Sequence, residues 1–174
     1  ESRIRLSAEK SMEQLEIRVP YSFIKERTRL SWPEVKYGIE QGILRPQEAI
    51  AVAIDALEQG ATSEQNLELA SSNPNEPLLE LIARVSSNEM QPTLSAMQRK
   101  WAFLVLAWVF EHRDEYVDPL DIVERLYADL DYPEQVAPFV RYMPLDEPDL
   151  GSMELNERRL FQRWRQYLER ESDF

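Results

Sequence analysis

Two aspartates on either side of one leucine, Asp129 and Asp131, are the residues whose spacing most suggests chemistry. Carboxylates this close can bind a divalent cation or share a proton as an acid–base pair. A calcium-binding loop also needs further oxygen ligands and a glycine at fixed spacing, but Tyr132 and Pro133 follow here. We therefore expect no metal site. We expect both carboxylates to satisfy the backbone at a helix end or to pair with Arg141.

The other residue types that commonly catalyse reactions occur without the partners that they require. The chain has one histidine, His112, and no cysteine, so neither a zinc centre nor thiol chemistry is expected. It contains no Gly-x-Ser-x-Gly nucleophile elbow and no glycine-rich phosphate loop. We expect a protein that is not an enzyme and needs no cofactor. The alternative is a carboxylate-dependent enzyme, with or without a metal ion, centred on Asp129 and Asp131.

Segment 111–149 carries most of the negative charge of this chain. The formal net charge is −12, and this segment contains twelve acidic residues against three arginines. Such a field repels nucleic acid and anionic membranes and attracts basic proteins. We therefore expect no nucleic-acid or membrane partner, but a protein partner with a basic surface. The alternative is a solvated acidic face that maintains solubility, as in an oligomeric structural protein.

Within this segment, eight residues are the predicted contacts with that partner. The acidic residues would supply complementary charge, and the tyrosines would act as aromatic anchors. They are Glu115, Asp118, Asp121, Asp129, Asp131, Tyr132, Glu134 and Tyr142. Asp118 and Asp121 also have a local alternative, because carboxylates stabilise the N-terminus of a helix.

A single apolar run organises the helices that must position these residues. Residues 101–110 are apolar throughout, with no glycine or proline. The run is too short to span a bilayer, which takes about 20 residues, but it is long for a strand. A helix that is apolar on every face has to be surrounded by protein. We predict a buried central helix over about 96–113, with Ser95 and Gln98 as its capping pair.

Capping and stop signals predict further helices around the central one. Ser31 and Glu34 form a capping-box pattern, and Asp118 with Pro119 is typical of a helix start. An amphipathic pattern indicates another helix over residues 7–18. We predict one all-α domain over residues 1–174, a multi-helix bundle. The absence of cysteine and of a signal-peptide pattern at the start of the sequence favours the cytoplasm.

Three stretches of the sequence carry a family resemblance. They are Leu30-Ser-Trp-Pro-Glu-Val-Lys-Tyr-Gly38 with Lys100-Trp101, the run from Asp118 to Pro133, and Phe139-Val-Arg-Tyr-Met-Pro144. Across roughly residues 20–145 the chain resembles a family of small bacterial proteins catalogued as a domain of unknown function. The resemblance implies no activity, cofactor or site. In character, a small acidic bacterial domain is also similar to immunity proteins, which neutralise a toxin domain.

Overall fold

The computed structural model describes residues 16–144 and 147–173, and these residues form helices and connecting segments without a strand. The helices are α1 (Tyr21–Lys25), α2 (Trp32–Glu40), α3 (Glu48–Glu58), α4 (Glu64–Ala70), α5 (Leu79–Ser87), α6 (Leu94–Glu111), α7 (Pro119–Asp129) and α8 (Met153–Arg170). Short 3₁₀ turns occupy Arg113–Glu115 and Ala137–Phe139. The predicted all-α class is confirmed. The helix predicted over residues 7–18 falls largely outside the described residues, and its described end, 16–18, is not helical.

Helix α6 is the predicted central helix, and residues 101–107 are buried along its whole circumference. It begins and ends two residues earlier than predicted, and Ser95 is not its cap. Thr93 has extended backbone angles, and its side chain accepts a hydrogen bond from the amide of Ala96. Ser95 already lies inside the helix, and Thr93, which directly precedes the first helical residue, is therefore the N-cap.

Helix α2 packs against α6 at an unusually close approach. The predicted capping box of Ser31 and Glu34 is present at its start. The Nε1 of Trp101 donates to the carbonyl of Glu34 at 2.9 Å, and the Nζ of Lys100 lies 3.0 Å from the Glu34 carboxylate. A Cβ atom on Gly38 would lie 2.2 Å from the Trp101 ring. The two parts of the first stretch of the resemblance, residues 30–38 and 100–101, therefore meet in the core, where they join α2 to α6.

Helices α7 and α8 hold the acidic segment against that core. The predicted cap of α7 is present, because the Asp118 carboxylate accepts from the amide of Asp121 at 3.3 Å. On α8, Trp164 is fully buried, and its ring stacks on that of Phe139 from the connecting segment. The buried apolar residues of all eight helices belong to one hydrophobic cluster. None of the described helices is long and apolar enough to cross a membrane.

Candidate protein-binding surface

The end of α7 has an uncommon backbone conformation at the predicted site. After the last helical residue and the buried Leu130, both Asp131 (φ 58°) and Tyr132 (φ 60°) are left-handed. The amide of Tyr132 donates to the carbonyl of Tyr127 at 2.9 Å, which closes the helix end. Left-handed geometry costs a non-glycine residue roughly 1–2 kcal/mol. The conformation turns the chain so that the side chains of Asp131 and Tyr132 face solvent.

Three tyrosines pack together next to this turn. Tyr127 is buried, and the ring of Tyr132 meets it edge-on, with ring centroids 5.2 Å apart. The ring of Tyr142 lies 6.3 Å from Tyr127 in a tilted orientation. The exposed fractions of Tyr132 and Tyr142 are 57% and 55%. Partial desolvation and the neighbouring tyrosines raise the pKa of Tyr142, so it is a neutral hydroxyl at physiological pH.

Arg141 connects the acidic side chains of two helices beside these rings. Its guanidinium contacts both carboxylate oxygens of Asp118, the shorter distance being 2.8 Å, and its Nε donates to Glu124 at 2.9 Å. Glu157 of α8 lies 3.6 Å away. The hydrogen bonds from Arg141 are the main cause of the lowered pKa of Asp118.

The prediction that Arg141 pairs with Asp129 or Asp131 is therefore wrong. Arg141 binds Asp118 at the start of α7 and Glu124 in its second turn. A helix rises 1.5 Å per residue, so Asp129 lies about 16 Å further along the axis than Asp118. The arginine cannot reach both ends of the helix.

The eight predicted contacts divide between the two ends of α7. Glu115, Asp118 and Asp121 lie at its start, where Asp121 pairs with Arg125 at 3.0 Å. Four others are exposed at its far end: Asp129, Asp131, Tyr132 and Glu134. Tyr142 connects the two groups, because it follows Arg141 in the chain and its ring contacts Tyr127.

We call the set formed by the exposed Asp118, Asp131, Tyr132 and Tyr142 and the half-buried Glu124 the tyrosine–acid surface. Sequence reasoning did not include Glu124, Tyr127 or the binding role of Arg141 in this site. The spacing of Glu124 and Tyr127, three residues apart on one helical face, was an available signal. The sequence gives no signal for the contact of this face with residues 141 and 142, because that contact depends on the path of the chain after α7.

Asp129 is the one predicted contact whose carboxylate is unfavourably placed. It ends α7, where the helix dipole disfavours an anion. Desolvation raises its pKa although the residue is exposed, and the charge of Arg125 acts in the opposite direction.

The described residues contain no group of three or more His, Cys, Asp or Glu side chains that could hold a metal ion. The ring of His112 stacks on Trp108 at 3.8 Å, and its Nδ1 lies 2.8 Å from the Trp108 carbonyl. The histidine therefore belongs to the end of α6. Among the described residues, the distinctive chemistry of the acidic segment is a surface of carboxylates and anchored tyrosines.

The described residues form an all-α protein. The chain belongs to the DUF2247 family, described as an uncharacterized protein conserved in bacteria, whose model matches residues 21–172. No curated protein and no solved structure matches the chain. The expected resemblance to a bacterial family of unknown function is confirmed, and the match includes the whole tyrosine–acid surface.

Proposed function

We propose that this chain is a non-enzymatic protein-binding module whose tyrosine–acid surface docks on a basic protein partner. The observation that carries the proposal is the pair of exposed rings, Tyr132 and Tyr142, held against the buried Tyr127 among carboxylates. Tyrosine is enriched among the residues that dominate binding energy at interfaces. An exposed ring already fixed by a neighbour loses less conformational freedom on binding, which favours affinity.

The charges around the rings support a basic partner. Within segment 111–149, twelve acidic residues oppose three arginines, and Arg141 is already bound to Asp118 and Glu124. A basic partner would be steered toward this surface, and its association rate would fall as salt is added. Lys or Arg side chains of the partner would then meet exposed carboxylates such as Asp131 beside the rings.

The partner that best fits this chemistry is a toxin domain with a basic cleft, for example a nuclease. Nuclease clefts are basic because they bind phosphates, so an acidic protein can occupy them. We propose an immunity role by steric and electrostatic occlusion, without chemistry on the toxin. A cysteine-free chain is compatible with the reducing cytoplasm, where such a toxin would act.

Co-expression with the product of the gene immediately upstream tests this role. We expect the wild-type chain to bind that product in a pull-down and to restore the growth of cells that make it. The double variant Tyr132→Ser/Tyr142→Ser should lose both effects. The matched control is Leu79→Ser, an exposed apolar residue on α5. No binding at micromolar concentration, together with no protection of growth, would contradict the proposal.

A further inference from the structure

A groove lies between residues 141–143 and 147–152 on one side and the first turns of α8 on the other. Its volume is about 800 Å³, within the range of binding sites for ligands and peptide side chains. Three apolar side chains line it, namely Met143, Met153 and Leu160. Arg159 and Asn156 are among its polar lining residues. The long, adaptable side chains of methionine suit a pocket that accepts an apolar group from a partner.

Arg159 is an almost buried cation with one hydrogen-bond donor unused. Its side chain is only 10% exposed. Its Nη1 donates to the carbonyl of Pro148 at 3.0 Å and lies 3.4 Å from the Glu147 carboxylate, and its Nη2 lies 3.4 Å from the Asn156 amide oxygen. Its Nε is buried and has no acceptor among the described residues. A buried donor without an acceptor is unfavourable. Because Nε has almost no accessible surface, a ligand can supply the acceptor only if the Arg159 side chain turns toward the groove on binding, and such side-chain changes are common at interfaces.

The acceptor that fits this position is a neutral one. Glu147 is shared between Arg159, at 3.4 Å, and Arg163, at 2.9 Å, and the carboxylate of Asp149 also lines the groove, so two carboxylates face these two arginines. A further anion would be repelled by these two carboxylates. A backbone carbonyl of a peptide would accept from Nε without adding charge.

The rim of the groove favours basic residues beside the apolar group. The donors to the Asp149 carboxylate among the described residues are neutral, namely the side-chain amide of Asn156 and the backbone amide of Gly151, both at 2.8 Å. Hydrogen bonds from these donors lower the pKa of Asp149, so it is ionised at neutral pH. Glu157 is also on the lining and is 3.6 Å from Arg141. Met153 lines the same groove as these carboxylates and is 79% exposed, so this part of the groove is accessible from solvent.

We propose that this groove binds a peptide segment of a protein partner in which an apolar side chain is flanked by Lys or Arg. The apolar side chain enters between Met143, Met153 and Leu160, and the Arg159 side chain turns so that its Nε donates to a backbone carbonyl of the peptide. The flanking cations meet Asp149 and Glu157. The inference rests on the proposed function and specifies the partner's chemistry, because Arg141 lines the groove and directly precedes Tyr142 in the tyrosine–acid surface.

Selection from a random-peptide phage library on the immobilised full chain tests the proposal. We expect enrichment of sequences with an apolar residue next to Lys or Arg. Synthetic peptides of the selected sequences should bind Met153→Arg at least about tenfold more weakly than wild type, a change of about 1.4 kcal/mol. The matched control is Met90→Arg, because Met90 is also highly exposed, at 91%, and lies away from the groove. It should bind like wild type.

A second variant examines the unused donor. Arg159→Lys keeps the positive charge beside Glu147 but removes Nε, so we expect several-fold weaker peptide binding with an unchanged circular dichroism spectrum. Three outcomes would overturn the proposal that the groove binds a peptide. They are no enrichment, enrichment of acidic sequences, and equal affinity of the peptides for wild type and Met153→Arg. Any of these outcomes can be found while the upstream gene product still binds wild type and Tyr132→Ser/Tyr142→Ser abolishes that binding. In that case peptide binding by the groove is wrong, and the proposed function stands. Loss of both kinds of binding would contradict the proposed function as well.

Discussion

At the residue scale, Gly38 and Trp101 show how closely α2 and α6 approach each other. The indole ring lies where the Cβ of any larger residue would be, and its Nε1 is satisfied by the carbonyl of Glu34. Trp101 is fully buried, so its ring has no room to move aside. The glycine is required by the close packing and not by an unusual backbone angle, since it lies inside a helix.

Replacing Gly38 with alanine should therefore destabilise the fold, although alanine is the better helix former. We expect a loss of about 1–3 kcal/mol in the free energy of unfolding, which is typical of overpacking in a core. Urea unfolding followed by tryptophan fluorescence measures this. The control Glu40→Ala, at an exposed position of α2, should stay within about 0.5 kcal/mol of wild type. Equal stability of Gly38→Ala and wild type would contradict the close approach of the Trp101 ring to Gly38.

Asp129 gives a prediction about pH. Its pKa is raised in the folded chain by desolvation, so its ionised form destabilises the folded state relative to the unfolded state. Asp129→Asn should therefore be more stable than wild type at pH 7, and this advantage should vanish below the ordinary aspartate pKa of about 3.9. Unfolding in urea at pH 7 and pH 3 measures both values. Glu134→Gln, which also removes one exposed negative charge, separates the effect from that of net charge. If Asp129→Asn is less stable than wild type at pH 7, the raised pKa of Asp129 in the folded chain is contradicted.

At the element scale, Arg141 fixes the segment after α7 onto α7 and α8. Its three carboxylate partners come from both helices, and the exposed rings depend on the position of that segment. Arg141→Gln should lower the free energy of unfolding at pH 7 by about 1–2 kcal/mol, more than an isolated surface pair contributes. The control Arg158→Gln removes an exposed pair with Glu154 within α8 and should cost at most about 0.5 kcal/mol.

The effect of Arg141→Gln should also depend on pH, with a defined sign. The pKa of Asp118 is lowered in the folded chain, so its pairing stabilises the fold above the ordinary aspartate pKa and is lost as pH falls through the folded value. The difference between wild type and Arg141→Gln should therefore shrink in acid. A difference that stays constant from pH 7 to pH 3 would mean that Arg141 acts through packing alone.

The elements differ in how far the sequence alone predicts them. The start of α2 and the start of α7 follow from local capping signals, which involve residues a few positions apart. The two left-handed residues that follow α7, Asp131 and Tyr132, could not be predicted, because glycine and asparagine are the usual signals of this conformation. Of the two alternatives for Asp129 and Asp131, pairing with Arg141 is wrong. The partners of Arg141 could not be predicted, because the position of residue 141 depends on the long-range packing of Phe139 against α8.

At the scale of the whole molecule, the stretches that carry the family resemblance have two different positions. The stretch ending at Gly38 meets Lys100 and Trp101 in the core, where its role is to hold the fold. The run from Asp118 to Pro133 meets Arg141 and Tyr142 at the surface, where the rings face solvent. The eight candidate contacts lie at exposed or partly exposed positions, and their role in binding stays a prediction. The convergence of Tyr132 and Tyr142 on Tyr127 could not be predicted, because it depends on the fold.

The charge distribution of the molecule adds the expected salt dependence. Most of the net charge of −12 belongs to the segment that also carries the tyrosines, so attraction to a basic partner and ring contacts should act at the same surface. Added salt screens the attraction between charges and leaves the ring contacts largely intact. The ring contribution is therefore best measured at high salt.

The most direct test of this account is calorimetric titration of the upstream gene product with wild type and with Tyr132→Ser/Tyr142→Ser. We expect a one-to-one complex with wild type that weakens as salt is raised. In the double variant, affinity should fall at least about 30-fold at the same salt, the loss of about 2 kcal/mol that defines an interface hot spot. Leu79→Ser should bind like wild type. Equal affinity of the double variant and wild type would contradict the central role of the tyrosine–acid surface.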